Sequence, residues 1–118
     1  MAKSSDNISN IDEKLFKYML KHSVKENEIL KGLREETSKH VLAKMEVTPD
    51  VGQLLSFLVK LTKTKNAIEI GTFTGYSTLW IAQALPEEGR VVTCETRIEF
   101  AEVAFKYWEE AGFKAIVQ

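Results

Sequence analysis

Apolar residues in the first half of the chain recur every three or four positions, which is typical of helices with one buried face. Residues 11–21 form the first such stretch, and its inward positions would be Ile11, Leu15, Tyr18 and Met19. Residues 23–26, Ser-Val-Lys-Glu, have the form of a capping box and predict the start of a second helix. Its inward positions would be Ile29, Leu30 and Leu33.

Residues 48–50, Thr-Pro-Asp, predict the start of a third helix. Threonine suits the cap, proline fits the first helical position, and aspartate favours the positive end of the helix dipole. The helix is strongly apolar, which predicts that it lies against a sheet. Its apolar positions are Leu54, Leu55, Phe57, Leu58 and Leu61.

In the second half of the chain, short apolar runs alternate with helical stretches. The pattern predicts a short buried strand at 66–70, a helix at 76–85 that Pro86 ends, and a second strand at 90–95. A capping box at 96–99 opens the next helix, Gly112 caps its end, and a third strand starts at 113–117. That helix has an inward stripe of Phe100, Val103, Ala104, Tyr107, Trp108 and Ala111. Strand, helix, strand, helix, strand is one mononucleotide-binding half of a doubly wound α/β fold with a parallel sheet.

A glycine turn joins the first of these strands to its helix. Gly71 and Gly75 bracket the turn, which leaves backbone amides beside the positive end of a helix dipole and attracts an anionic or strongly polar group. Phe73 stands where the dinucleotide fingerprint has its second glycine, which argues against a nicotinamide or flavin dinucleotide. Glu69 is unusual in an apolar strand, because a carboxylate is rarely buried without a partner. A solvent-facing edge position is the alternative.

Glu95 ends the second strand, 20 positions after Gly75 (75 to 95). In a parallel βαβ unit, a carboxylate at this tip lies beside the glycine turn and can accept hydrogen bonds from both hydroxyls of a ribose. Taken alone, Glu95 is more simply a solvated strand end. With Glu69 and Gly71 in register, a nucleoside ligand is favoured.

Two segments together resemble a known family: residues 69–77 (Glu-Ile-Gly-Thr-Phe-Thr-Gly-Tyr-Ser) and 84–95 (Ala-Leu-Pro-Glu-Glu-Gly-Arg-Val-Val-Thr-Cys-Glu). They resemble the cofactor half of the class I S-adenosylmethionine-dependent O-methyltransferases, in the cation-dependent group that includes caffeoyl-CoA and catechol O-methyltransferases. Residues 33–37 and 49–55 resemble that group's N-terminal helices. The resemblance extends over about residues 16–112 and implies a Rossmann-like fold, S-adenosylmethionine as donor and a small-molecule acceptor.

The resemblance also implies binding roles for individual residues. The backbone of Gly71 and Thr72 would receive the methionine end, Ser77 would bond its carboxylate, and Glu95 would hold the ribose. Glu69 would order the loop or meet the amino group. Val47, and less specifically Met45, would lie in the segment folded over the methionine portion. The cofactor-binding residues implied are Val47, Glu69, Gly71, Thr72, Tyr76, Ser77 and Glu95.

No residue of this chain matches the positions that hold the divalent cation and activate the acceptor in that family. The resemblance therefore implies no catalytic and no metal-binding residue here, and it implies donor binding without catalysis by the chain alone. His22 and His40 stand 18 positions apart without a companion Cys or Asp cluster, so we expect no metal role for them.

Composition adds few further constraints. The 118 residues, 44% of them hydrophobic, suit one small globular domain. A net charge of −1 gives no general attraction to nucleic acid or to an anionic membrane. Cys94 cannot form an intrachain disulfide and is expected to be a buried neutral thiol. No apolar run resembles a signal peptide or a membrane span, so we expect a cytoplasmic protein.

The chain divides into a flexible tail (1–10), an N-terminal helical segment (11–65) and a cofactor-binding half (66–118) of a truncated Rossmann-like domain. A parallel sheet that stops after three strands leaves apolar faces and open edges, which predicts self-association as a homodimer or an incompletely ordered C-terminal end. Three functions stay open. They are the donor-binding chain of an O-methyltransferase, a non-catalytic remnant that acts as a binding or interaction module, and half of a nicotinamide-dependent dehydrogenase, which Phe73 disfavours.

Overall fold

The computed structural model describes residues 11–113 and, for the backbone alone, residues 116–117. The helices are α1 (Glu13–Ser23), α2 (Glu28–Thr37), a single 3-10 helix (Ala43–Met45), α3 (Pro49–Leu61), α4 (Tyr76–Ala84) and α5 (Ile98–Glu110). The strands are β1 (Asn66–Ile70), β2 (Arg90–Cys94) and β3 (Ile116–Val117). The predicted tail over residues 1–10, and residues 114, 115 and 118, lie outside the described residues.

The three strands form a parallel sheet in the order β1-β2-β3. In the register of β1 and β2, Glu69 pairs with Thr93 and Ile70 pairs with Cys94. Helices α4 and α5 connect successive parallel strands, as helices do in βαβ units. The predicted α/β architecture, with N-terminal helices followed by β-α-β-α-β, is therefore confirmed.

Helix α4 lies at the centre of the molecule. Six of its nine residues are buried, and it packs against α2, α3 and β2. Helices α2 and α5 contribute most of the other side chains in the main core. That core consists of Leu30, Leu33, Tyr76, Leu79, Trp80, Ala104, Tyr107 and Trp108. The predicted inward stripe of α5 is confirmed, and its aromatic pair belongs to the core.

The two faces of the sheet are covered unequally. Val91 and Thr93 of β2 are buried on one face, and Glu69 of β1 points to the same side because residues in register share a face. On the opposite face, Ile68 and Ile70 are 72% and 80% exposed. β1 was predicted to be a buried strand, and for Ile68 and Ile70 this prediction was wrong, since the described helices cover only one face of the sheet.

Cys94 was also misjudged. It lies in register with Ile70 on the uncovered face, and its side chain is half-buried rather than buried.

Helix α3 packs mainly on α4. Its buried residues are Gly52 and Ser56, and a Cβ on Gly52 would lie 2.3 Å from Cδ1 of Trp80, so the glycine permits the close approach of the two helices. Leu55 and Val59 reach a second, smaller core around Val91. The remaining apolar side chains are exposed, so the prediction that they lie against the sheet was wrong. Those in the predicted apolar set are Leu54, Phe57, Leu58 and Leu61, and Val51 is exposed as well.

The amino-terminal part of the chain departs from two further predictions. Helix α1 has the predicted position, but Ile11, Leu15 and Tyr18 are exposed and only Met19 of the predicted inward residues is half-buried. The capping box at residues 23–26 was also wrong. Asn27 caps α2 instead, with its Oδ1 accepting from the Leu30 amide at 2.9 Å.

The start of α5 was misassigned as well. Helix α5 begins at Ile98 after Arg97, and no side chain caps it. The prediction of its end is confirmed, because Gly112 has the left-handed φ of +78°. No helix in the described part of the chain is both long and apolar enough to cross a membrane.

Candidate functional site

The turn between β1 and α4 depends on two glycines for different reasons. Gly71 and Gly75 both have positive φ values, +95° and +84°, which side chains rarely tolerate. A Cβ on Gly75 would lie 2.7 Å from both Cβ of Ala104 and Cζ2 of Trp108, whereas a Cβ on Gly71 would meet nothing within 4 Å. Gly75 therefore lets α5 approach the turn, and Gly71 leaves space open on the side away from the core.

Glu69 is the most heavily hydrogen-bonded side chain of the turn. Its Oε1 accepts from Oγ of Ser77 at 2.5 Å, and its Oε2 accepts from the hydroxyls of Thr78 and, at 3.2 Å, Thr93. Because the Thr93 proton goes to Glu69, the 2.6 Å contact between Thr72 and Thr93 is a hydrogen bond that Thr72 donates. Glu69 thus ties β1 to the start of α4 and to β2. This is the loop-ordering role among the two predicted for it, and a contact with an amino group stays a prediction.

The hydroxyl of Ser77 has only one proton, and that proton goes to Glu69. The oxygen of Ser77 can still accept a hydrogen bond, but it cannot donate to an anion while the bond to Glu69 persists. Its predicted bond to the methionine carboxylate would require that proton to turn away from Glu69, so this role stays a prediction.

The backbone amides of the turn fall into two groups. Those of Gly71 and Thr72 both donate to the carbonyl oxygen of Cys94 at 3.1 Å. The first amide that bonds back into α4 is that of Leu79, to the Gly75 carbonyl at 3.0 Å. The three amides before it, at residues 76–78, lie at the positive end of the helix and have no partner within it. An anionic group at this corner would meet these amides first.

Glu95 holds the turn from the other side. Its Oε2 accepts from the amide of Phe73 at 2.8 Å, and its Oε1 accepts from the amides of Thr96 at 2.8 Å and Arg97 at 3.0 Å. Burial raises the pKa of Glu95, but these amides outweigh burial and hold the pKa below its usual value. A carboxylate has about four lone-pair sites, and the three amides occupy three of those of Glu95. The predicted contact of Glu95 with a ribose stays a prediction.

The ring of Phe73 packs away from the glycines. It meets Phe100 edge-on with a centroid distance of 4.8 Å, and the ring of His40 lies 6.0 Å away. Nδ1 of His40 in turn accepts from the amide of Leu42 at 3.0 Å. The backbone of Phe73 has a φ of +49°, and the bond to Glu95 helps to hold it there.

A pocket of about 210 Å³ opens beside the turn, between the 3-10 helix region and the start of α4. Six of the seven residues predicted to bind a cofactor line it, and Met45 lines it as well. The six are Val47, Glu69, Gly71, Thr72, Tyr76 and Ser77. Glu95 is not among the lining residues. The fold therefore brings together two segments that are more than 20 positions apart in the sequence.

A charged network lies behind this pocket. Glu26 accepts two hydrogen bonds from the Arg34 guanidinium, both 2.8 Å long, and one from the hydroxyl of Tyr76 at 2.6 Å. Burial raises the pKa of Glu26, but the bonds from Arg34 and Tyr76 bring the pKa below its usual value. Burial, and then Glu26, raise the pKa of the Tyr76 phenol. Sequence analysis missed this network because it assigned Glu26 to a helix cap.

Glu46 also lines the pocket and was missed. Its Oε1 is buried and has no hydrogen-bond partner among the described residues. Burial raises the pKa of its carboxyl to about 7, against the lowering effects of the Thr37 hydroxyl and Arg34. The signal in the sequence was its position between Met45 and Val47, which were both assigned to the segment over the cofactor.

A metal ion has no evident site in the described residues, because no group of three or more His, Cys, Asp and Glu side chains is placed to hold one. The ring of His22 packs against that of Tyr18 at a tilt of 39°, with ring centroids 4.3 Å apart. The polar groups of the pocket are hydroxyls, amides and two carboxylates, which suit a ligand with hydrogen-bonding groups of both charges.

Comparison with known proteins gives consistent matches. The family model described as O-methyltransferase matches residues 20–118. The chain is 44% identical over 100 residues to caffeoyl-CoA O-methyltransferase 1 of Nicotiana tabacum, covering 83% of this chain and 42% of that protein. It is 42% identical over 100 residues to catechol O-methyltransferase domain-containing protein 1 of Mus musculus, covering 85% of this chain and 38% of that protein.

Two solved structures are similar in both sequence and fold. The O-methyltransferase TomG of Streptomyces achromogenes, in complex with SAM, superimposes with a TM-score of 0.80 at 37% identity, covering 89% of this chain and 47% of that one. The O-methyltransferase of Bacillus cereus, in complex with SAH, superimposes with a TM-score of 0.79 at 31% identity, covering 86% of this chain and 47% of that one. The chain thus spans about half the length of these relatives, or less.

Proposed function

The chain belongs to the O-methyltransferase family, and from that premise we propose that it binds S-adenosylmethionine in the pocket beside the glycine turn. In this proposal the chain supplies the donor-binding part of an enzyme that methylates a hydroxyl group of a small-molecule acceptor. The cytoplasmic location stays a prediction from the sequence.

One observation carries the proposal: residues from two distant segments, Val47 on one side and Glu69 to Ser77 on the other, line a single pocket. At about 210 Å³ the pocket is smaller than the roughly 300–1,000 Å³ of typical ligand sites, so it suits part of the donor rather than all of it. The methionine end carries a carboxylate and an ammonium group. The free amides at the start of α4 suit the carboxylate, and the pocket carboxylates suit the ammonium.

The chemistry of methyl transfer separates what this chain can do from what it leaves to other groups. The donor's sulfonium supplies an activated methyl group, and an acceptor oxygen must be aligned in line behind it. That oxygen must also lose its proton to a base or to a metal-bound site. The divalent cation implied by the family resemblance finds no ligand cluster among the described residues, so we derive no step through it. We therefore propose donor binding without turnover by this chain alone.

Calorimetric titration with S-adenosylmethionine and S-adenosylhomocysteine tests this function. We expect a saturable 1:1 heat with both ligands. Gly71→Ala should weaken binding, because Gly71 lines the pocket and an added methyl group would occupy open space beside it. Gly112→Ala is a matched control, since both glycines have positive φ and open space at Cβ, but only Gly71 lines the pocket.

The absence of heat at millimolar concentrations of either ligand would remove the cofactor proposal for this chain. If Gly71→Ala and Gly112→Ala lost binding equally, the loss would come from backbone strain, which both variants share, and not from a change in the pocket. Fluorescence titration with reduced nicotinamide dinucleotide covers the dehydrogenase alternative, for which we expect no binding because of Phe73.

The uncovered face of β1 favours a second candidate function, that of an interaction module. Ile68 and Ile70 are large apolar residues exposed side by side on a parallel sheet, whose faces are normally both covered. We propose that this face pairs with a second copy of the chain, giving the homodimer. Light scattering should then report a dimer for the natural chain and a monomer for Ile68→Lys/Ile70→Lys. A compact natural monomer at high protein concentration would contradict this.

A further inference from the structure

The pocket contains two glutamates in very different states. Both oxygens of Glu69 accept hydrogen bonds from hydroxyls of the protein. Glu46 has a buried Oε1 with no partner among the described residues. Buried polar atoms without a partner are rare in folded proteins and call for an explanation, because each costs free energy. Both glutamates line the same cavity, so a ligand bound there would lie beside the Glu46 carboxyl group.

The neighbours of Glu46 do not supply the missing partner. From α2, Arg34 lowers the pKa of Glu46, but its guanidinium is already engaged with Glu26 by two hydrogen bonds. Glu26 itself raises the pKa of Glu46 by repulsion. From α4, the hydroxyl of Tyr76 donates to Glu26. From β1, Glu69 adds a further negative charge to the pocket wall.

The hydroxyl of Thr37 is the other polar group close to Glu46. It donates to the carbonyl oxygen of Leu33 at 2.8 Å and accepts from the hydroxyl of Thr74, also at 2.8 Å. Its single proton goes to Leu33 in that arrangement, so the Thr37 contact that lowers the pKa of Glu46 still leaves Oε1 without a hydrogen-bond partner among the described residues. What Glu46 lacks is a hydrogen-bond donor, and a cationic donor would supply a counter-ion at the same time.

The donor molecule in the proposed function has two positive groups near its methionine end, and only one of them can satisfy Oε1. A sulfonium carries no N–H or O–H, whereas an ammonium group has three N–H donors. We propose that Glu46 is a cofactor-specificity residue whose free Oε1 receives the ammonium group of the methionine end. This inference rests on the proposed function and assigns to Glu46 a role that is distinct from that of Glu69.

Binding of this kind is coupled to a proton. Below neutral pH the free protein holds Glu46 largely as the acid, since burial raises its pKa to about 7. The bound ammonium favours the carboxylate, so the Glu46 proton passes to solvent on binding while the ammonium keeps its own. Affinity should therefore tighten about tenfold between pH 5.5 and 7. An α-amino group titrates near 7.7–8.0, so the ligand stays charged over this range.

Titration calorimetry on wild-type protein and on Glu46→Gln tests the inference, with Glu87→Gln as an exposed control. The ligands are S-adenosylhomocysteine, which has the ammonium but no sulfonium, and 5′-methylthioadenosine, which lacks the amino-acid end. At pH 7 we expect Glu46→Gln to weaken S-adenosylhomocysteine binding about tenfold and to leave 5′-methylthioadenosine binding unchanged. At pH 6.5, two buffers of different ionisation enthalpy should reveal release of roughly half a proton or more by the wild type and none by Glu46→Gln.

Each outcome separates this inference from the function on which it rests. If wild-type protein binds S-adenosylhomocysteine but Glu46→Gln binds it equally well, with the same pH dependence, Glu46 has only a structural role and the inference fails while donor binding stands. If the variant weakens both ligands equally, the effect is not directed at the ammonium and the inference also fails. If the wild type binds neither ligand, donor binding itself is overturned.

Discussion

The two walls of the pocket differ in how their polar groups are satisfied. On the wall formed by β1 and the glycine turn, Glu69 accepts three hydroxyl hydrogen bonds, and the amides of Gly71 and Thr72 donate to Cys94. On the wall formed by the 3-10 helix and the residues after it, Glu46 has an oxygen with no partner in the described protein. On the first wall the Glu69 carboxylate and the amides of Gly71 and Thr72 all have partners within the protein, whereas the Glu46 carboxyl on the second wall lacks one donor.

The difference teaches which parts of a binding site can be fixed before the ligand arrives. A wall whose polar groups bond to one another holds its shape without a ligand, which reduces the free energy that binding must spend on ordering. A wall with an unsatisfied acceptor gains most when a ligand supplies the donor. On the wall formed by β1 and the glycine turn (the glycine wall), we therefore expect removal of the bonded Glu69 side chain to act mainly on stability. Substitutions at Glu46, on the facing wall, should act on ligand recognition and on pH dependence.

The largest effect is expected at Gly75. Gly75→Ala would combine a positive φ with a Cβ only 2.7 Å from both Ala104 and Trp108, so either the turn or α5 must move. Strain at the backbone and overpacking together should lower the free energy of unfolding by about 2–5 kcal/mol. Urea unfolding followed by tryptophan fluorescence measures this, since Trp108 donates to the carbonyl oxygen of Gly75 at 3.1 Å.

Gly112→Ala is the control for Gly75→Ala. It has a similar φ of +78° but nothing within 4 Å of the added methyl group, so it should lose only about 1–2 kcal/mol. If the two alanine variants were equally destabilised, close packing between the turn and α5 would not be what requires Gly75.

A smaller loss is expected when the hydrogen bonds of the glycine wall are removed. Glu69→Ala would leave the hydroxyls of Ser77, Thr78 and Thr93 without their acceptor, and Thr78 and Thr93 are fully buried. We expect unfolding to become easier by about 2–3 kcal/mol, measured by chemical denaturation at pH 7. Glu87→Ala, at an exposed turn position, is the control and should change stability little.

Glu69→Ala combined with Ser77→Ala shows whether these bonds act as a unit. Since Ser77 loses its partner in the first variant, the double variant should be less destabilised than the sum of the two single variants. Strict additivity would mean that the bond between Glu69 and Ser77 contributes nothing.

The sequence predicted the glycine wall better than the facing wall for a physical reason. Spacing along one chain segment fixes the strand, the turn and the helix that follows, so Glu69, Gly71 and Ser77 could be placed from local pattern alone. The partner of Glu69 on β2, Thr93, could also have been found, because buried polar residues on neighbouring strands pair in register. The position of Glu46 beside Val47 pointed to the pocket, but its burial could not be predicted, since that depends on how a connector folds over a distant turn.

The fold shows the same division between local and long-range information. The element order and the stripe of α5 followed from periodicity, but burial did not. Ile68 and Ile70 have the apolar character of buried strand residues, and the exposed side of α3 has that of a buried helix. Apolar composition indicates that a surface is suited to burial. It does not indicate which element buries that surface, because this depends on contacts between segments that are distant in the sequence.

The smallest effect, and the one specific to the facing wall, is a pH-dependent change in stability at Glu46. The folded-state pKa of about 7 lies above the ordinary value of 4.5, so the contribution of Glu46 to stability is fully present below about pH 4.5 and is lost as the pH rises through 7. After a discount for the solvent exposure of this half-buried side chain, the loss should be about 1–2 kcal/mol. Urea unfolding of ligand-free protein measures this at pH 5 and pH 8. Between the two pH values, the difference in unfolding free energy between Glu46→Gln and wild type should shift in favour of the variant by that amount. Glu87→Gln should not change the pH profile, and a Glu46→Gln profile parallel to that of the wild type would mean that Glu46 is ionised and satisfied in the free protein.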